Sequence, residues 1–289
     1  MQSRTVVVGV DGSESALDAV RWAAREAVRR RATLRLVNAC DWPRGALVGD
    51  PGLGHRYHSV LVDAARSQVA AAATVAREAA PDVVTEEQVV IGFPIPVLRS
   101  ESRRAELVVL GNRGLGGVTG LLVGSVAVAL AAHADCPLVV VRDAMSDQDA
   151  RPVVVGVDGT PLSESALAFA FDAAAVRRVP LIAVHAWSDL LVDPTMAPLL
   201  DWDAIEAEEH EVLAERLAGW AAKYPDVPVE RVIRRDRPAH ALLEQAGNAQ
   251  LVVVGSRGRG ALSGLVMGSV GHTLLHRAGC PVAIVRHVT

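Results

Sequence analysis

The chain carries a second copy of its own opening. The run VVVGVDGS that begins at Val6 returns as VVVGVDGT at Val153, and each is followed by a glycine-spaced segment of the same arithmetic. In the first half Gly111 and Gly114 lead, after nine intervening residues, to Gly124-Ser125; in the second, Gly255 and Gly258 lead to Gly268-Ser269 at the same interval. Asp11 and Asp158 stand 147 residues apart and Gly111 and Gly255 stand 144 apart. A period that long, in 289 residues, means two domains of ordinary size and not a solenoid of short repeats. We place them at residues 1–146 and 147–289. Turns alone need no fixed nine-residue spacer, so the glycines are read as a binding loop.

Within each half, short apolar runs alternate with longer alanine-rich stretches of helical period, which predicts an α/β fold with a parallel sheet covered on both faces. The strands are expected at residues 5–10, 33–39, 83–90, 107–110 and 138–141, then at 153–157, 181–186, 227–234, 251–254 and 282–285. Most are continuously apolar, as strands buried on both sides must be; the third of each half is more polar and reads as an edge. A helix over 14–30, capped by Ser13, places Leu17, Val20, Ala24, Ala27 and Val28 on one stripe with arginines opposite. In the copy Ser163 is the expected cap, ahead of Leu167, Ala170 and Ala174. Residues 143–151 read as a linker, and the aperiodic stretches 43–58 and 188–200 as flaps.

Charge and composition exclude several roles. A net charge of −4, with no basic run beyond Arg29, Arg30 and Arg31, gives no footprint for nucleic acid. No apolar stretch approaches the roughly eighteen residues that span a bilayer, and no secretory segment precedes the first strand, so a soluble, cytoplasmic protein is expected, without a membrane partner. Of three cysteines, Cys136 and Cys280 precede Pro137 and Pro281 at one repeat position and read as structural thiols. His55 with His58, and His272 with His276, have helical chelating spacings, but no acidic third ligand stands nearby in sequence, so both pairs read as structural or surface histidines. Scarce aromatic residues (3%) predict aliphatic pocket walls.

In an open parallel sheet, ligands sit beyond the carboxyl ends of the strands where strand order reverses. Asp11-Gly12 follows the first strand and the Gly111 loop follows the fourth, which are neighbours at the reversal of a doubly wound order. Glycines there permit positive φ and close approach of backbone N–H groups to an anion; Ser125 and Ser269 open the next helix with a hydroxyl and a positive dipole end. This is phosphate-binding chemistry. Charge-assisted hydrogen bonds supply about 1.5–3 kcal/mol each, association costs roughly 4 kcal/mol or more, and micromolar affinity needs about 8 kcal/mol. A base-binding wall is therefore required, and Val37 to Ala39, Val184 to Ala186, Val10 and Val157 offer one. The absence of GxxxxGK[ST], and of lysine near either loop, excludes a P-loop, and the turn GVDGS lacks the dinucleotide fingerprint. Asp11 and Asp158, each before a glycine, read either as ligand contacts or as Asx-turn formers; Arg113 and Arg257 are within reach of phosphate or of solvent.

The two openings, LVVLGNRG and LVVVGSRG, the Gly-Ser dipeptides, and the closing CPLVVV and CPVAIV together resemble the universal stress protein family in its tandem two-domain form, over nearly the whole length. The glycine loop is similar to that of the family's ATP-binding branch. The resemblance implies two doubly wound Rossmann-like domains, each a five-stranded parallel sheet in the order 3-2-1-4-5 flanked by helices, paired through the last strand, and a homodimer with a regulatory protein partner. It implies one ATP per domain, with Mg2+. Carried to this sequence, Asp11 and Asp158 meet the ribose or metal and Ala39 and Ala186 the adenine edge. Gly9, Val10, Gly156 and Val157 lie beneath, and Gly111, Arg113, Gly114, Gly124, Ser125 and Val126 hold phosphates, as do Gly255, Arg257, Gly258, Gly268, Ser269 and Val270 in the copy. The second half departs where Asp236 replaces Gly92 and where Thr160-Pro161-Leu162 lengthens the first turn. The implied role is stress-response regulation in which nucleotide state sets conformation or partner choice. Its rivals are a slow ATP hydrolase or nucleotidyl transferase, a flavin or electron-transfer module, and a ligand-free dimeric scaffold. The enzyme needs a general base with an orienting partner, and none repeats beside the loops.

Overall fold

Valine runs with no polar partner on either face form strands buried on both sides, and the helices between them supply the cover. The computed structural model describes residues 4–40, 51–114, 123–142, 150–187, 201–258 and 267–286. Two units divide the chain, Met1–Asp147 and Gln148–Thr289. The first runs β1 (Thr5–Gly9), α1 (Glu14–Arg30), β2 (Thr33–Cys40), α2 (Pro51–Ala79), β3 (Thr85–Ile91), α3 (Pro94–Ser102), β4 (Leu107–Gly111), α4 (Ser125–His133) and β5 (Leu138–Val141). The second runs β6 (Val153–Val157), a 3-10 turn (Pro161–Ser163), α5 (Glu164–Arg177), β7 (Leu181–Trp187), α6 (Trp202–Lys223), β8 (Val229–Arg235), α7 (Pro238–Ala246), β9 (Leu251–Gly255), α8 (Ser269–Arg277) and β10 (Val282–Val285). Strand order is β3-β2-β1-β4-β5 in the first unit and β8-β7-β6-β9-β10 in the second, with parallel pairing within each. This is the doubly wound order the resemblance implied.

Central strands make the core. Val6, Val8, Leu107, Val108 and Val109 are sealed from solvent, as are Val153, Val154 and Val155 in the copy. Val8 sits in register with both Leu36 and Val109, which sets the carboxyl ends of β1 and β4 side by side. Across α1 the buried residues are mostly alanine (Ala16, Ala19, Ala23, Ala24, Ala27), so the helix lies close on the sheet. Ser13 caps it as expected, its hydroxyl accepting from Ala16 N–H at 3.2 Å.

Four local expectations need correcting. Val28 is exposed, and Arg30 is not on the outer face: it is buried, with Nε on Glu26 Oε1 at 2.5 Å and Nη1 on Glu106 Oε1 at 2.9 Å. The stripe drifts inward there because a buried carboxylate at Glu26 offers the guanidinium a partner. Ser163 does not cap α5; it closes the 3-10 turn and turns its hydroxyl toward Asp158. The third strand starts at Thr85, since Val83 N–H closes a turn on Ala80 O at 3.0 Å and the ladder begins with Val84 O accepting from Leu34 N–H. Of the first expected flap, residues 51–58 are the start of α2; residues 41–50, the second flap at 188–200 and residues 143–149 of the linker lie outside the described residues. Among the described residues, no helix is long and apolar enough to cross a membrane.

Candidate functional site

Beyond Gly9 the chain turns through Val10, Asp11 and Gly12, whose φ of 86° only glycine adopts readily; Gly159 repeats it at 76°. Asp11 Oδ1 accepts from Ser13 N–H at 3.0 Å and from Ser13 Oγ–H at 2.6 Å. That is an Asx turn feeding a helix cap, so half of the carboxylate serves the local fold. The other half faces the glycine loop, because a Cβ on Gly114 would collide with Asp11 Oδ2. In the second unit Asp158 Oδ1 takes three donors, Thr160 N–H at 2.9 Å, Thr160 Oγ–H at 2.7 Å and Ser163 Oγ–H at 2.6 Å, and Oδ2 would lie 3.1 Å from a Cβ on Gly258. The Asx-turn reading of these aspartates is thus observed at Oδ1 in both units, and Oδ2 lies toward the glycine loop.

Ser15 stitches the loop after β4 to α1. Its hydroxyl donates to Asn112 Oδ1 at 2.7 Å and accepts from Arg113 N–H at 3.3 Å. Gly111 is needed for this approach, since a Cβ there would sit 2.5 Å from Ser15 O; its φ is not positive, so close packing and not left-handed geometry selects glycine. Gly124 N–H donates to Asn112 O at 2.7 Å, and Gly268 N–H donates to Ser256 O at 2.8 Å, closing each nine-residue excursion at its neck. Residues 115–122 and 259–266 of those excursions lie outside the described residues. Gly124 and Gly268 are then the caps of α4 and α8 and bring no side-chain hydrogen bond. The first residues of each helix, Ser125-Val126 and Ser269-Val270, line the crevice, which places the orphan amides and positive dipole end of a helix start beside it.

The crevices measure about 400 Å³ in the first unit and about 330 Å³ in the second. Each has a polar end made by the glycine loop and an apolar end made by Val37 and Ala39, or Val184 and Ala186. All twenty residues singled out in the sequence fall on one or the other crevice, and no aromatic side chain lines either among the described residues. Some act as packing: a Cβ on Gly9 would meet Leu110 at 2.6 Å and Leu98 at 3.3 Å, and one on Gly156 would meet Leu242 at 2.9 Å. Arg113 and Arg257 are exposed at the rim.

Sequence reasoning missed the apolar floor, Pro94 and Leu98 from α3 and Pro238 and Leu242 from α7. The signal existed, because both pairs stand 144 residues apart, the offset of the glycine loops. The rims also differ. Beside Pro238, Asp236 accepts from Arg237 N–H at 2.6 Å and pairs with His240 Nδ1 at 2.5 Å, whereas the first unit has Gly92 and Pro96 there. The pair holds the Asp236 carboxyl below its usual range, chiefly through the His240 hydrogen bond, and lifts His240 above the usual imidazole value through Asp236. Behind the second crevice, sealed His185 has Nδ1 at 2.7 Å from Val157 O and Nε2 at 2.7 Å from Glu209 Oε2. The equivalent Asn38 donates to Gln68 Oε1 at 2.8 Å.

Can these residues accept a nucleoside triphosphate with its cation? Uncapped amides, a glycine-bared approach and an apolar end fit the triphosphate and base, and the volumes fall within the usual range for small-molecule pockets, about 300–1,000 Å³. Among the described residues no group of three or more His, Cys, Asp or Glu could hold a metal alone. A Mg2+ ion needs no such cage, since one carboxylate plus phosphate oxygens and water usually suffice.

The model of the Universal stress protein family matches residues 2–142 and 150–286. A universal stress protein of Mycobacterium bovis is 42% identical, with 97% of this chain and 96% of the relative covered. One of Mycobacterium tuberculosis is 43% identical over the same shares. Among solved structures, a universal stress protein from Archaeoglobus fulgidus DSM 4304 superposes with a TM-score of 0.76 over 99% of each chain at 18% identity, a likeness of fold.

Proposed function

Because the chain belongs to the universal stress protein family, we propose that it is an ATP-binding regulatory protein with one nucleotide site per unit. The observation that carries this reading is the meeting, in both units, of an uncapped helix start with a glycine-bared loop at the strand-order reversal. In the proposed pose the triphosphate lies on the first amides of α4 or α8, and the base lies on Ala39 or Ala186 against Leu98 or Leu242. Asp11 and Asp158 offer their second oxygen to the ribose or to a phosphate-bound Mg2+, which when bound offsets phosphate charge. Nucleotide state then sets conformation or partner choice, in a stress-response role, with a second copy and a regulatory protein as the proposed partners.

The arrangement favours holding over turnover. Asp11 and Asp158 each spend one oxygen on the local turn, and neither crevice pairs a carboxylate with a histidine among its described lining residues. Native mass spectrometry after gentle purification, with nucleotide extraction and calorimetric titration of ATP, tests the reading. Two ATP per chain are expected; a chain that carries no nucleotide and ignores added ATP would sink it. Hydrolysis at roughly 1 per second or faster would replace regulation by catalysis.

A further inference from the structure

Helix α8 brings His272 and His276 together, with 4.4 Å between ring centroids and 35° between ring planes. Residues four apart share one helix face, so both imidazoles are presented from the same side, His272 exposed and His276 half-buried. In the first unit the same places in α4 are Val128 and Ala132. Neither the fold nor the crevice therefore requires imidazole here, and the second unit carries a ring at both places.

We propose that this pair is a surface site for a divalent cation of the imidazole-preferring class, Zn2+, Ni2+ or Cu2+. With metal–nitrogen distances of about 2.0–2.1 Å, two ligand nitrogens on a tetrahedral ion stand about 3.3 Å apart. The ring centroids stand 4.4 Å apart, and rotation of the two side chains on a fixed backbone turns one nitrogen of each ring toward a common ion. Imidazole nitrogens suit these ions and not Mg2+ or Ca2+, which take oxygen ligands, so the site is distinct from any phosphate-bound Mg2+ in the crevice. Water fills the remaining coordination positions on the exposed side. No acidic third ligand stands nearby in sequence; a catalytic zinc site takes three protein ligands, whereas a two-point staple takes only the two rings. The consequence is local: an ion across this turn pins a nine-residue helix whose first amides line the second crevice.

The test uses the metal-free full chain titrated with Zn2+ by calorimetry, with Cu2+ electron paramagnetic resonance counting coordinated nitrogens. One Zn2+ per chain is expected at this site. Because the two rings act as linked ligands, H272V and H276A should each weaken it by about a hundredfold and reduce the nitrogen count from two to one. These substitutions install the residues of α4 itself, and circular dichroism checks that the fold is kept. H133A, at the end of α4, should change nothing. Unaltered affinity or nitrogen count in H272V and H276A would overturn the proposal, as would failure of the native chain to bind Zn2+; neither result touches the ATP reading, since the titrations contain no nucleotide.

Discussion

Alanine at Gly114 probes how tightly the first glycine loop is built. The added methyl collides with Asp11 Oδ2, and the carboxylate cannot swing aside freely, because Oδ1 accepts from Ser13 N–H at 3.0 Å and Ser13 Oγ–H at 2.6 Å. Giving up those two bonds, at about 0.5–1.5 kcal/mol each, outweighs the roughly 0.4–1 kcal/mol that alanine gains by restricting the unfolded chain. The first unit should lose about 1–2 kcal/mol. At Gly258 the same methyl stands 3.1 Å from Asp158 Oδ2, close enough to need a few tenths of an ångström of give but not a broken bond. Gly258→Ala should be near neutral. Urea denaturation read by hydrogen exchange and mass spectrometry resolves the two units, and with a slope of about 1–3 kcal/mol per molar urea the first unit's midpoint should fall by roughly 0.5–1 M. ATP titration should show the first site weakened by about tenfold and the second nearly unchanged. Equal shifts in the two units, or a larger one from Gly258→Ala, would refute this account of the loops.

Three further outcomes are expected. Glu26→Ala strips buried Arg30 of its closest partner and should lower stability by about 3–5 kcal/mol in denaturant titration, whereas Glu26→Leu with Arg30→Met should be nearly neutral. The Cys136 and Cys280 thiols are pushed up to about 12, mainly by burial, so at pH 8 a thiol reagent should label half-buried Cys40 first and reach the other two only in denaturant. Since the folded values lie above those of free thiols, this burial also opposes folding as pH rises past about 8.5. For the rim pair, His240 is raised, so its contribution is present below the ordinary imidazole value and lost as pH climbs through the raised one. Asp236 is lowered, so its contribution is present above the ordinary carboxylate value and lost as pH falls through the lowered one. The pair is complete between roughly pH 4 and 6.5, and proton NMR should find the His240 titration above the ordinary value and returned to it in Asp236→Asn.

The strands were legible because their buried valine runs leave a period-free apolar signal, and β5, β6 and β10 fall on the expected residues. Helix α1 was equally plain, from Ser13 at its cap to its alanine face. What composition could not disclose were choices that depend on a distant partner. Arg30 is buried only because Glu26 and Glu106 converge on it, and 76 residues separate it from the second. Gly111 looks like a loop glycine in sequence, yet Ser15 of α1 dictates it. The glycine-loop residues were readable from the duplication itself, while Leu98 and Leu242 keep the same offset but sit inside helices whose apolar positions look like ordinary core.

Val157 O can only accept, so the Nδ1 of His185 must donate to it, which leaves Nε2 to face Glu209 Oε2 at 2.7 Å. Asn38 and Gln68 meet the same spatial demand with neutral amides that exchange no proton. A single-residue trade between the halves would strand either an acid without its base or an amide without its mate. Exchange between the halves would have to move β7 and α6 together, so that each partner travels with its mate.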